Sequence, residues 1–415
     1  MVNGRAIPKN STCLRAGDYL PYLRSAFSTR AAPDDSVESI FRPLIAGRSL
    51  LATPTGRHAL WAFLQAAPLR EGDEVLVAAY NFYVIVRLLV QRGLRPVFVD
   101  VEPETLCMDP YDLAARIGPR SRMVLVTHIY GHTADLTRIG KICRERNLLL
   151  FEDCAHAVGT LHQGLQTGQT GEGALFSFGV EKIINSLGGG MLAIRPELLK
   201  GSRPPQPSVG RRLSLLDTFT RFTYTVALSP GVYRNVLRPA GRALGLLSRE
   251  APRKVREYFE PSKDDPTYRF GYESRPPFKM FMAQMQSRQL RRLEENVGRR
   301  RDLVARMRSG LQRIEEVRLP DMDRHGRANA SYFVANVPDP FRLVDHLRQC
   351  GVGAHPQEFL DCSQLDQFSS YRADCPVARQ ASRSTVRLPS FPLLTYRDAD
   401  HIVEAVTSYF TRKIR

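Results

Sequence analysis

The sequence predicts an α/β protein: a large three-layer domain on a mostly parallel sheet, followed by a smaller C-terminal α+β domain. Three observations carry this. Short apolar runs alternate with amphipathic stretches through the first third of the chain, the pattern of right-handed βαβ crossovers with helices on both faces of a sheet. After residue 190 the pattern gives way to a Pro- and Arg-rich stretch over 203–261. Beyond it come a long helical period over 280–314, then strand, helix, strand and helix. The elements follow in order. Residues 49–52 read as a strand, 57–65 as a helix, 74–77 as a strand, and 84–90 as a helix ending near Gly93. Strands are expected over 96–101, 123–127 and 148–151, with a helix over 139–146 and an aromatic-containing strand over 174–178. In the last third, 331–337 and 385–388 read as strands and 341–349 and 399–410 as helices. The division is an N-terminal segment 1–34, a large domain 35–296 that includes the insert 203–261, and a small domain 297–415.

Composition bounds the function. The chain has 415 residues, 43% hydrophobic and 24% charged, which excludes a disordered tail, a collagen-like repeat and a disulfide-stapled miniprotein. At about 150 residues per domain the length suits two or three domains. Seven cysteines without a C-x-x-C pair fit reduced cytosolic thiols better than a disulfide framework or a zinc site. The N-terminus carries no apolar signal core, and no run reaches a membrane span. A soluble, cytoplasmic protein is expected.

The net charge of +17 favours anionic partners or simply solubility. Nearly half of it falls in residues 211–256, where ten basic residues meet only Asp217 and Glu250. No nucleic-acid-binding signature accompanies this cluster, so no nucleic-acid partner is expected. Its leucines and aromatics suit a helical cover for a site mouth or a dimer contact. The sharper alternative is a peripheral contact with the inner membrane surface.

Four features point to chemistry. Asp153, in Glu152-Asp153-Cys154-Ala155-His156, follows a strongly apolar strand, at the carboxyl end where open α/β sheets bind ligands. A carboxylate there can ligate metal, act as a base or hold a cationic ring nitrogen. No ligand set surrounds it, and no metal is expected. Lys182 lies 29 residues further on, between an aromatic-containing strand and Gly188-Gly189-Gly190. The plainer reading is a solvated lysine; if desolvated, its amine becomes a nucleophile. Thr55-Gly56-Arg57 stands at a strand-to-helix turn, an N-cap or an anion site. Tyr80-Asn81-Phe82-Tyr83 offers aromatics for a core or for stacking on a planar ring. Taken together, a phosphate cradle, a stacking ring, a carboxylate and an amine are what pyridoxal 5'-phosphate requires.

These residues resemble the DegT/DnrJ/EryC1/StrS family of sugar aminotransferases, within the fold-type I pyridoxal-phosphate enzymes. The resemblance runs through Gly72-Asp73-Glu74-Val75, Pro96-Val97-Phe98-Val99-Asp100-Val101 with Thr105 and Asp109, and His128-Ile129-Tyr130-Gly131. It ends on Glu152-Asp153-x-Ala155-His156 and Ser177-Phe178-x-x-x-Lys182, the most specific pair. It implies that Lys182 forms the internal aldimine and shuttles protons, and that Asp153 pairs with the pyridinium nitrogen. His156 would sit beside the ring hydroxyl, Phe82 would stack, and Ser177 with Thr55, Gly56 and Arg57 would hold the phosphate. Four departures stand out. Arg57 replaces the Thr of the family's S-G-T, Ala78-Ala79 stands where a proline precedes the stacking aromatic, and Leu187-Gly188-Gly189-Gly190 replaces G-E-G-G. The family's N-x-R, which reaches a neighbouring subunit's phosphate, falls at Arg275-Pro276-Pro277, with Arg275 or Lys279 as substitutes.

The implied activity is transfer of an amino group from an amino acid such as glutamate to a keto sugar, nucleotide-linked in the first reading, by a homodimer. The alternatives are the same chemistry on a lipid-linked or membrane-borne acceptor, and a non-catalytic regulatory protein keeping the fold.

Overall fold

The computed structural model describes residues 6–11, 14–25, 39–199 and 280–413, with scattered residues between 219 and 236. Nearly all of the basic cluster over 211–256, together with Arg275, Pro276, Pro277 and Lys279, lies outside the described residues.

The N-terminal sheet has seven strands: β1 Ser49–Thr53, β2 Glu74–Ala78, β3 Arg95–Val99, β4 Ser121–Thr127, β5 Leu149–Asp153, β6 Gly173–Ser177 and β7 Gly190–Ile194. Their order is β1-β7-β6-β5-β4-β2-β3. Six strands run one way; β7 alone reverses, antiparallel to both β1 and β6. The central strands are near-continuous apolar runs because both faces are covered, and Met123, Val124, Leu125 and Val126 are fully buried. Helices α1 Gly56–Ala66, α2 Tyr83–Gln91, α3 Pro110–Arg116 and α4 Leu136–Glu145 form the connections. Their starts are written in the sequence. Thr55, Asp109 and Asp135 each accept a hydrogen bond from a first-turn amide, and Pro110 occupies the first position of α3.

The long helical period resolves into α5 Met280–Leu290 and α6 Leu293–Leu311. This corrects the single helix expected there. At the break the Arg292 amide bonds the Gln289 carbonyl, a tighter turn, and its guanidinium is held by buried Asp18 at 2.6 Å. Helix α6 contributes Leu293 and Val297 to a core behind β7, and Leu303, Val304, Met307 and Leu311 to a C-terminal core.

That C-terminal core lies under an antiparallel sheet of β8 Phe333–Asn336, β9 His355–Pro356 and β10 Thr385–Leu388, in the order β8-β10-β9. It is covered by α7 Pro340–Gln349 and α9 Tyr396–Lys413, through Leu343, Leu347, Ile402 and Phe410. The intervening chain returns to the first sheet. Leu360 and Asp361 pair with Asn81 and Tyr80, and Asp100 accepts the amides of Val377 and Ala378 at the start of α8 Pro376–Ser384. Residues 6–11 also join this unit, where Ile7 pairs with Val352 and is 1% exposed. Among the described residues no helix is long and apolar enough to cross a membrane.

Candidate active site

The carboxyl ends of six parallel strands and the start of β7 converge on one edge of the sheet, where the strand order lets loops diverge. Thr53, Gly190 and Ser177 stand side by side in register across β1, β7 and β6, and Thr127, Asp153 and Leu175 across β4, β5 and β6.

Helix α1 begins at this edge. Thr55 caps it, and its hydroxyl lies 2.9 Å from Nδ1 of buried His58. A Cβ on Gly56 would lie 3.1 Å from Cβ of Ser177, so the glycine lets the helix start press against the end of β6. Free amides at a helix start, a serine hydroxyl and half-buried Arg57 form a set suited to a phosphate. Gly190 is needed for a similar reason. A Cβ there would lie 2.3 Å from the Thr55 carbonyl carbon and 2.4 Å from the Gly56 nitrogen. Gly190→Ala is therefore expected to push β7 off the start of α1 and to cost about 1–3 kcal/mol. A lower urea midpoint checks this, and an unchanged one would count against the contact.

Asp153 is buried, 5% exposed, and one carboxylate oxygen accepts the Ala155 amide at 2.9 Å. Burial raises its pKa; the Ala155 amide and the positive charge of Lys182 moderate the rise. Asp153 and Lys182 thus lie within electrostatic reach of each other. Burial, with the charges of Lys182 and Arg387, presses the His156 pKa well below its ordinary value, so the ring is neutral. That ring sits between Tyr332 and Phe359, centroids 4.5 and 5.6 Å away. Phe82 stands half-buried on the loop after β2, edge-on to Tyr83. Asn81 fixes that loop: its side chain accepts the Phe82 amide and donates to Thr127.

Glu152, beside Asp153, points into the opposite layer. Its oxygens accept the amides of Gly168, Thr170 and Gly171 and the Nε2 proton of His128, whose Nδ1 accepts the Ala134 amide. With Cys154 these groups have the composition of a metal set. The hydrogen bonds, however, commit Glu152 to tying β5 to the loop before β6.

Several positioning residues were not foreseen. Lys182 follows a tight turn, its amide bonded to the Gly179 carbonyl. The loop beyond it is held from behind by α5: Gln289 exchanges two hydrogen bonds with the Asn185 backbone, and Gln286 donates to Ser186. Both glutamines are buried and interrupt the apolar stripe of α5, a signal visible in the sequence. Asn329 and Ser331 donate to the His156 carbonyl. Beside Lys182, Glu181 meets Arg387 of β10 at 3.4 Å, and Arg387 also meets Glu358 at 3.1 Å. Periodicity gives no hint of these pairs, because they join residues 206 and 29 positions apart, beyond the reach of any helix or strand period.

A model described as the DegT/DnrJ/EryC1/StrS aminotransferase family matches residues 21–203 and 242–407. The spore coat polysaccharide biosynthesis protein SpsC of Bacillus subtilis (strain 168) is 24% identical over 404 residues, covering 92% of this chain and 91% of its own. The dTDP-4-dehydro-2,3,6-trideoxy-D-glucose 4-aminotransferase of Saccharopolyspora spinosa is 27% identical, covering 86% of this chain and 85% of its own. Among solved structures, the aminotransferase TlmJ from Streptoalloteichus hindustanus superposes with a TM-score of 0.74 at 22% identity, over 99% of this chain and 100% of its own. The overall fold is that of the fold-type I aminotransferases.

Proposed function

The chain belongs to the DegT/DnrJ/EryC1/StrS aminotransferase family, and on that premise we propose that it moves an amino group from an amino acid, glutamate first, to a nucleotide-linked keto sugar, with pyridoxal 5'-phosphate as its cofactor. The observation that carries this reading is a buried carboxylate, Asp153, within electrostatic reach of Lys182 at the sheet edge where α1 starts. Similarity to enzymes named for dTDP- and GDP-sugar amination supports the acceptor class. An excess of 17 positive charges suits a diphosphate-bearing substrate.

The donor set fits the cofactor. The α1 amides, Thr55, Arg57 and Ser177 would hold its phosphate, Asp153 its ring nitrogen, Phe82 one ring face, and neutral His156 the ring hydroxyl. When bound, pyridoxal phosphate supplies an aldehyde that takes up the amino group and a protonated ring that withdraws electrons. Lys182 supplies the amine that attaches the cofactor and, once released, moves a proton at the substrate carbon. Asp153, kept in the dry strand end, keeps the ring nitrogen protonated; His156, being neutral, does not compete for that charge. A homodimer in a cytoplasmic setting belongs to the same reading and rests on the family resemblance and the free cysteines.

The test is spectroscopic. Purified protein loaded with pyridoxal phosphate is expected to show a visible band that glutamate bleaches and a keto-sugar nucleotide restores. Mass spectrometry over a panel of such nucleotides would identify the aminated product. A band indifferent to every amino acid would remove the proposal and favour a non-catalytic role.

A further inference from the structure

The chain preceding the sheet delivers a cation to Glu181, the residue before Lys182. Ile7 is locked into the C-terminal unit, its amide on the Gly351 carbonyl at 2.9 Å and its carbonyl on the Gly353 amide at 2.8 Å. The fit is close: a Cβ on Gly353 would lie 2.5 Å from the Lys9 nitrogen. Lys9 is thereby held by its backbone, and its Nζ reaches Glu181 at 3.6 Å, with 34% of its side chain exposed.

The charge balance gives this contact its meaning. Glu181 and Glu358 are two carboxylates sharing one buried guanidinium, Arg387, which is 2% exposed. Glu181 is held well below the usual carboxylate range: burial opposes this, and the charges of Lys9, Arg387, His355 and Lys182 outweigh it. Two anions need two cations. Lys9 supplies positive charge to Glu181 beside Arg387 and His355; without it, Lys182, the next residue along the chain, is among the described residues the lysine whose charge still acts on that carboxylate. Lys182 is also faced by Asp153 and His156 from the end of β5, and Tyr332 donates to the Glu181 carbonyl. His355 lies 3.2 Å from Glu358 on the far side of Arg387.

We propose that Lys9 is a positioning residue for Lys182: by neutralising Glu181 it keeps that carboxylate from holding the neighbouring amine in its charged form. The inference rests on the reading of Lys182 as the residue that carries the cofactor. An opposite charge left uncompensated at this range raises an amine's pKa.

The experiment is a pH titration of the visible band of the full chain loaded with pyridoxal phosphate. Wild type, Lys9→Met, Lys9→Arg and Lys182→Ala are compared at low and high salt. Lys9→Met is expected to move the midpoint upward by about one pH unit, a tenfold change, and Lys9→Arg to restore it. The difference should shrink at high salt, since Lys9 is partly exposed. In a Glu181→Gln background the Lys9→Met shift should largely vanish. Coincident midpoints for wild type and Lys9→Met, with the band lost in Lys182→Ala, would overturn the inference and leave the reading of Lys182 intact. A band that persists in Lys182→Ala would remove both.

Discussion

Replacing Lys182 by alanine is expected to lower amino transfer by about four orders of magnitude or more, since under the proposed function one substitution removes both the attaching nucleophile and the proton carrier. Among the described residues no other amine is placed to substitute. Lys9, the other lysine acting on this cluster, follows Ile7, whose backbone is bonded to Gly351 and Gly353, and its amine is paired with Glu181. The fold should survive, because Lys182 is half-buried and the loop around it is held by Gln286, Gln289 and Asn185. The measurement is a single-turnover reaction with glutamate, followed by absorbance, alongside urea unfolding. Retention of more than about 1% of the wild-type rate by a folded Lys182→Ala protein would contradict the assignment.

The second large effect is expected at Asp153. Asp153→Asn keeps the shape and the Ala155 contact but gives up the charge, so the ring nitrogen loses the partner that keeps it protonated. A loss of about 10²–10³-fold in the glutamate half-reaction is expected, the scale set by other preorganised electrostatic contacts. The same change should act oppositely on stability. Burial raises the pKa of Asp153, so without cofactor the folded state prefers the protonated acid. This contribution is fully present below the ordinary aspartate range and is lost as pH rises through the raised value. At neutral pH the cofactor-free Asp153→Asn protein is therefore expected to be at least as stable as wild type. It should also gain less from added pyridoxal phosphate, because the cationic ring no longer compensates a buried charge. Urea titrations of both proteins, with and without cofactor, provide the check. An equal gain in the two would argue that Asp153 does not meet the ring.

Strands and helices of the first sheet were legible because each is specified within its own few residues. Unbroken apolar runs mark the buried parallel strands and Thr55 the start of α1, whereas α3 Pro110–Arg116 was not foreseen and the helix expected from 139 begins at Leu136. Asp153 and Lys182 were legible for a related reason, each being the end of a strand or the start of a glycine turn. The antiparallel β7 was not, since Gly190–Ile194 carries its meaning in what it touches: the Thr55–Gly56 backbone on one side and β6 on the other. The break between α5 and α6 was likewise hidden. The apolar period continues through it, while the cause, Asp18, lies far away in sequence.

The sequence by itself determined the fold class and most strands and helices of the first sheet, and singled out a carboxylate and an amine 29 residues apart as candidates. Only the tertiary structure decided that Glu181 is shared between Arg387 and Lys9, and that α5 braces the loop behind Lys182. The physical reason is range. Periodicity and capping are set by neighbours within a turn or a strand. The charge environment of a buried amine is set instead by whichever distant segments the packed core brings within a few ångströms.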